Sequence, residues 1–89
     1  MSYVKTEQEI VQLREHVQQL LDKRMRRKKY RLQVSRDWRQ QEEWVYFLVK
    51  PTRSNVGASD FADALSDVEL ELRRDEKIEG VLLVPEVGD

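Results

Sequence analysis

The sequence lacks cysteine and contains few of the residues from which catalytic and metal sites are built. Its 89 residues include no cysteine and one histidine, His16. Without cysteine there are no disulfides and no thiolate metal ligands, and one histidine cannot form a zinc cluster. Motifs for a phosphate-binding loop, a dinucleotide-binding turn or a nucleophile elbow are also missing. We therefore expect a protein that is not an enzyme and that uses no cofactor.

Two weaker candidates for chemistry have ordinary interpretations. His16 falls on the polar side of the first predicted helix, where a lone histidine is usually part of the solvated surface. Asp60, Asp63 and Asp67 recur at helical spacing and could hold a hard cation weakly. Carboxylates early in a helix also complement its dipole, and we favour that interpretation.

Long apolar runs are absent as well. The longest is residues 44–49, WVYFLV, far short of the roughly 18 residues that a membrane span requires. No apolar segment follows Met1, as a secretory signal would require. We expect a cytoplasmic protein without a membrane partner. Hydrophobic content is 39% and charged content 37%, but strong periodic segments predict a single domain over residues 1–89 rather than disorder.

The WVYFLV run predicts a strand that is buried on both sides. It is rich in aromatic and β-branched residues and is followed by Pro51, which favours strand over helix. Alternation divides its side chains into two faces, with Trp44, Tyr46 and Leu48 on one and Val45, Phe47 and Val49 on the other. Both faces need cover from the rest of the chain.

Two amphipathic helices are predicted, over about residues 6–28 and 59–75. Thr6 and Glu9 have the spacing of a capping box, and Ser59 or Asp60 is expected to cap the second helix. Between these helices, Gly57 can take a positive φ. The apolar stripes are Ile10, Leu13, Val17, Leu20, Leu21 and Met25 in the first helix, and Phe61, Leu65, Val68 and Leu72 in the second. The heptad pattern holds for only two repeats, so core packing is favoured over a coiled coil, with a helix pair in a dimer as the alternative.

Strands are predicted over about residues 30–36, 43–50 and 78–84, with a hairpin loop near residues 39–41. The order α-β-β-α-β predicts an α+β domain with a mixed three-stranded sheet, because a strand-helix-strand crossover makes its two strands parallel. The first helix could cover the second sheet face. Alternatively, both helices share one face and a second copy covers the other.

This order is similar to that of KH and RRM domains, which bind nucleic acids. The KH Gly-x-x-Gly clamp is absent, since Gly57 stands alone in its loop. RRM domains expose aromatic residues on central strands, but Tyr46 and Phe47 would point to opposite faces. We assign no family from the sequence.

Charge is divided unevenly along the chain. Residues 1–50 contain 12 Lys and Arg against 7 Asp and Glu, whereas residues 51–89 contain 4 against 10. Seven of the nine residues 23–31 are basic, which suits a solvated helix end, a polyanion-binding segment, or contact with an acidic surface such as the chain's own second half. The candidate polyanion-binding residues are Arg26, Arg27, Lys28, Lys29, Arg31, Arg36, Trp38 and Arg39. Trp38 could stack on a base, but we favour a place at the rim of the core.

The favoured function is that of a self-associating protein-interaction module, a homodimer with a possible further protein partner. The candidate self-association residues are Val45, Phe47, Val49, Val81, Leu83 and Leu70. Leu70 is included because it points away from the apolar stripe of its helix. The alternative is nucleic-acid or other polyanion binding through the basic segment 23–39. A small-anion site on the loop from Arg53 to Ser59 is a third idea, opposed by the negative charges of Asp60 and Asp63.

Overall fold

The structure is a computed structural model that describes residues 6–86. It contains two helices and three strands in the predicted order α-β-β-α-β, and is a small α+β domain. The elements are α1 (Glu7–Arg24), β1 (Leu32–Gln41), β2 (Trp44–Pro51), α2 (Ala58–Arg74) and β3 (Val81–Pro85).

The sheet is mixed, as predicted, with β2 at its centre. β1 pairs with β2 antiparallel, and β3 pairs with β2 parallel. Residues that pair across strands point to the same face, so Val49 shares a face with Val34, and Phe47 with Leu83. The WVYFLV run is therefore the central strand of the sheet.

Both helices lie on one face of this sheet. α1 packs over β1, α2 packs over β3, and the helices contact each other. The helices bury Ile10, Leu13, Val17, Leu21 and Met25 of the α1 side, and Phe61, Leu65, Val68 and Leu72 of α2. The strands bury Leu32, Val34, Val45, Phe47, Val49, Val81 and Leu83. Within residues 6–86 the buried set contains no polar or charged residue, so the core is an apolar layer between two helices and one sheet face.

This packing corrects the expected self-association surface. Val45, Phe47 and Val49 are fully buried, and Val81 and Leu83 are 6% exposed. The chain's own helices cover these five residues, so they cannot line a surface between two copies. Leu70 differs, because it is 43% exposed on α2.

The first helix begins as predicted but ends earlier. The Glu9 amide donates to Thr6 Oγ1 (3.2 Å) and the Thr6 amide donates to Glu9 Oε1 (3.2 Å), which confirms the capping box. The helix ends at Arg24 rather than near residue 28. Beyond it, the Arg31 guanidinium and the Lys28 amide both donate to the Met25 carbonyl, at 2.8 and 3.0 Å, and the chain turns back into β1.

β1 is longer than predicted and irregular. Its register shifts between Val34 and Trp38, where the three residues 35–37 of β1 lie opposite the single residue Leu48 of β2. Beyond this bulge, β1 pairs with β2 again from Trp38 to Gln41. The expected loop at residues 39–41 is therefore part of the strand. The turn consists instead of Glu42 and Glu43, with Glu42 at φ 56°.

The start of α2 also differs from expectation. Its N-cap is Gly57 rather than Ser59 or Asp60, and Gly57 has φ −80° rather than a positive value. Asp60 Oδ2 accepts the Gly57 amide hydrogen at 2.9 Å. The residue of this loop that takes a left-handed conformation is Asn55, at φ 65°. β3 begins at residue 81 rather than 78 because residues 75–80 close the end of α2, with the Ile78 amide donating to the Leu72 carbonyl at 2.7 Å.

Candidate functional surfaces

One sheet face has no helix over it in the described part of the chain. We call it the open face and define it by five large apolar side chains: Trp44, Tyr46, Leu48, Leu82 and Val84. Tyr46 pairs with Leu82 and Leu48 pairs with Val84, so these residues form one continuous patch on β2 and β3. Trp44 is 42% and Val84 36% exposed, and the other three are half-buried.

A polar margin borders the open face on its β1 side. Arg39 pairs with Tyr46, Gln41 with Trp44, and Gln33 with Lys50, so all of these side chains lie on the same side of the sheet. The exposed Glu86 follows directly after β3 on the opposite margin. An apolar centre with a polar rim is the usual composition of a protein interface.

Side chains from the helices close parts of both sheet edges. The Gln18 amide donates to the Leu32 carbonyl (2.8 Å) and accepts from the Val34 amide (2.8 Å), as a neighbouring strand would. On the other edge, Glu69 Oε1 accepts from the Leu83 amide at 3.4 Å. A partner strand that approached these edges would find the backbone groups already bonded. Docking on the face is thus favoured over addition of a strand at an edge.

A concave surface rich in cations runs along the seam between α1 and β1. A groove of about 720 Å³ is lined by Arg14, Arg31, Arg36 and Lys50, with Asp22 as its one carboxylate. An adjoining hollow of about 680 Å³ adds Lys23 and Arg26. We call these six cations the basic groove.

The cations of the basic groove differ in how they are held. The Arg31 guanidinium is anchored on the Met25 carbonyl at 2.8 Å. Arg14, Arg36 and Lys50 make no ion pair with any residue from 6 to 86. Asp22 is engaged by the Gln18 amide at 3.0 Å. The groove therefore offers several cations that no carboxylate of residues 6–86 neutralises, and its one carboxylate already accepts a hydrogen bond.

The structure divides the predicted polyanion-binding residues among several places. Arg26, Arg31 and Arg36 line the basic groove, whereas Arg39 lies on the open-face side of the sheet. Trp38 packs half-buried against the core, which confirms its interpretation as part of the core rim. Arg27 is exposed, and Lys28 and Lys29 line a different cleft. Sequence reasoning did not find Arg14 and Lys50, because residues 36 positions apart share no local pattern.

A smaller cationic cleft lies between the loop before β1 and the loop after β2. Its volume is about 520 Å³ and it brings Lys28 and Lys29 next to Arg53. Burial, followed by the charge of Asp60, raises the pKa of the neighbouring Tyr30. The Asp60 carboxylate already accepts the Gly57 amide hydrogen at the start of α2. This hydrogen bond is a further argument against a small-anion site on this loop.

Within residues 6–86, charged side chains of the acidic second half pair with the first half at two places. Arg24 forms ion pairs with Glu71 (3.1 Å) and Asp67 (3.5 Å) on α2. His16, expected on the surface, is half-buried and its Nε2 lies 2.5 Å from Glu76 Oε1. Between residues 6 and 86, no group of three or more His, Cys, Asp or Glu is placed to hold a metal ion. These contacts have a structural role, because they join α1 to α2.

Comparison of the chain with protein-family models, with curated proteins and with solved structures finds no match in any of the three. Across residues 6–86, neither helix has the length and apolar character needed to cross a membrane. Function therefore has to be argued from the surfaces themselves.

Proposed function

We propose that the protein is an interaction module that forms a homodimer through the open face. One observation carries the proposal: both helices cover the same side of the sheet, and the other side presents five large apolar residues. Within the open face, Trp44 is 42% exposed and Val84 is 36% exposed. Contiguous apolar patches with a polar rim mark interaction sites on small proteins.

Two sheets of this kind would pack face to face, about 10 Å apart. A two-fold axis parallel to the strands sets β1 of one copy opposite β3 of its partner. By register Glu86 is level with Lys50 and Gln33, so this orientation places Glu86 of one copy opposite Gln33 and beside Lys50 of the other. Opposite charges on the two margins of one face make it self-complementary, which favours a second copy over an unrelated protein.

The size of the open face predicts a weak dimer. Three strands spaced about 4.8 Å apart and five residues long at about 3.3 Å each give a footprint of roughly 14 by 17 Å. Such an interface falls below the roughly 1,200 Å² of total buried area that stable complexes usually reach. We therefore expect a dissociation constant in the micromolar range, on the order of the weaker protein complexes.

Light scattering over a concentration series tests the proposal. The mass should approach twice 10.7 kDa as the concentration rises, and Leu48→Glu should hold it at the monomer value, because a carboxylate would be desolvated at the centre of the interface. Leu70→Glu is the matched control, since it makes the same substitution at the exposed leucine of α2 and should still dimerise. Circular dichroism establishes that both variants are folded.

Two results would overturn the proposal. One is a wild-type mass that stays monomeric up to millimolar concentration. The other is a dimer that survives Leu48→Glu and dissociates with Leu70→Glu, which would move the interface to α2.

A further inference from the structure

We infer that the basic groove binds the phosphodiester backbone of single-stranded nucleic acid. The groove gathers six cations around one carboxylate, although the whole chain has a net charge of −1. Such a local excess of one sign in a concave surface concentrates ligands of the opposite charge.

The side-chain types in the groove suit phosphate. Four of the six cations are arginines, whose planar guanidinium groups bind phosphate oxygens in pairs. Arg31 is already oriented by its bond to the Met25 carbonyl, so less side-chain freedom is lost when a ligand binds. Gln33, Ser35 and Thr52 provide further hydrogen-bonding groups along the wall.

The shape of the groove favours an extended single strand. Arg14 and Lys23 are nine residues apart on α1, which corresponds to about 14 Å along the helix. A single strand can follow this concave seam, whereas a duplex has a convex surface and would reach only the cations at the rims. Every nucleotide carries one backbone charge, so a short single strand can engage several of the six cations at once.

The groove offers no base-reading element. Its lining residues include no aromatic side chain, and the aromatic residues of the open face belong to the proposed dimer interface. Affinity then comes from the backbone, so binding should be insensitive to base sequence and strongly dependent on salt.

Fluorescence anisotropy with labelled oligothymidylate and oligouridylate of about 12 nucleotides tests the inference. The triple variant Arg14→Gln, Arg26→Gln, Arg36→Gln should weaken binding at least about tenfold and reduce the salt slope by about 2, at about 0.7 per lost phosphate contact. The control Arg27→Gln, Arg73→Gln, Arg74→Gln removes the same charge from exposed positions outside the groove. It should change affinity less than about threefold, because it loses the same general electrostatic attraction but keeps every phosphate contact in the groove.

Several outcomes would overturn the inference. These are absence of binding at about 50 mM salt, equal losses in the two triple variants, tighter binding of a duplex of the same length, and full competition by polyglutamate at equal charge. Unfolding of the groove variant is checked by circular dichroism. If it unfolds, single substitutions of Arg14 and Arg36, compared with Arg73, make the same distinction.

Discussion

At the scale of single residues, Gln18 shows how a polar side chain completes a sheet. Its amide bonds the Leu32 carbonyl and the Val34 amide at 2.8 Å each, and so replaces a missing neighbour on the edge of β1. The same residue forms part of the floor of the basic groove. The sequence carries no signal for this role, because the hydrogen-bonding partner of a side chain depends on packing.

We expect Gln18→Leu to lower the free energy of unfolding by about 1–3 kcal/mol, because a half-buried donor and acceptor lose their partners. Gln19→Leu makes the same change at the next, exposed position of α1 and should stay within about 0.5 kcal/mol of wild type. Urea unfolding followed by circular dichroism measures both. Equal effects of the two substitutions would show that the Gln18 bonds contribute nothing to stability.

At the scale of elements, the β1–β2 hairpin departs most from its sequence prediction. The bulge between Val34 and Trp38 allows β1 to reach Gln41, so the turn is limited to Glu42 and Glu43. No Asn-Gly or Gly-Gly pair is present at this turn, and Glu42 takes φ 56° at a steric cost. The expected loop at residues 39–41 followed from that missing turn sequence. The bulge has no local pattern by which it could have been found.

The turn provides a comparison between adjacent glutamates. Glu42→Gly relieves the left-handed conformation, whereas Glu43→Gly only adds freedom to the unfolded chain. We expect Glu42→Gly to be more stable than Glu43→Gly by about 1–2 kcal/mol, the usual penalty for a non-glycine residue in this region. Thermal unfolding of both variants tests this, and a Glu43→Gly variant as stable as Glu42→Gly would contradict it.

At the scale of the whole molecule, the fold has two layers and two kinds of surface. One sheet face is buried under both helices, and the other presents the open face. The basic groove lies on the α1–β1 side, whereas Arg24 faces α2 and pairs there with Asp67 and Glu71. The two surfaces meet at Gln33 and Lys50, so nucleic-acid binding is tested with Arg14, Arg26 and Arg36 and dimerisation with Leu48.

Dimerisation should make stability depend on protein concentration. A partner that binds only the folded chain adds about 2.7 kcal/mol at a hundred times its dissociation constant. We therefore expect the unfolding temperature of the wild type to rise between micromolar and hundred-micromolar protein. The Leu48→Glu variant should show no such rise. Scanning calorimetry at several concentrations measures this, and a wild-type midpoint that does not move would argue against the dimer.

The sequence by itself determined the types and order of the elements and the mixed sheet. Helical spacing of apolar residues, the Thr6 capping box and the WVYFLV run were sufficient, since each depends on neighbours along the chain. Element ends were less accurate, as at Arg24 and Gln41, because they depend on the Arg31 bond and on the bulge.

Only the tertiary structure decided which side of WVYFLV is covered. The run is apolar on both faces, so its pattern is equally compatible with cover on either one. Packing placed Val45, Phe47 and Val49 under both helices and left Trp44, Tyr46 and Leu48 on the open face. The basic groove likewise depends on folding, because Arg14 and Lys50 meet only when α1 packs along β1. Contacts between distant residues follow from packing, which a local pattern does not specify.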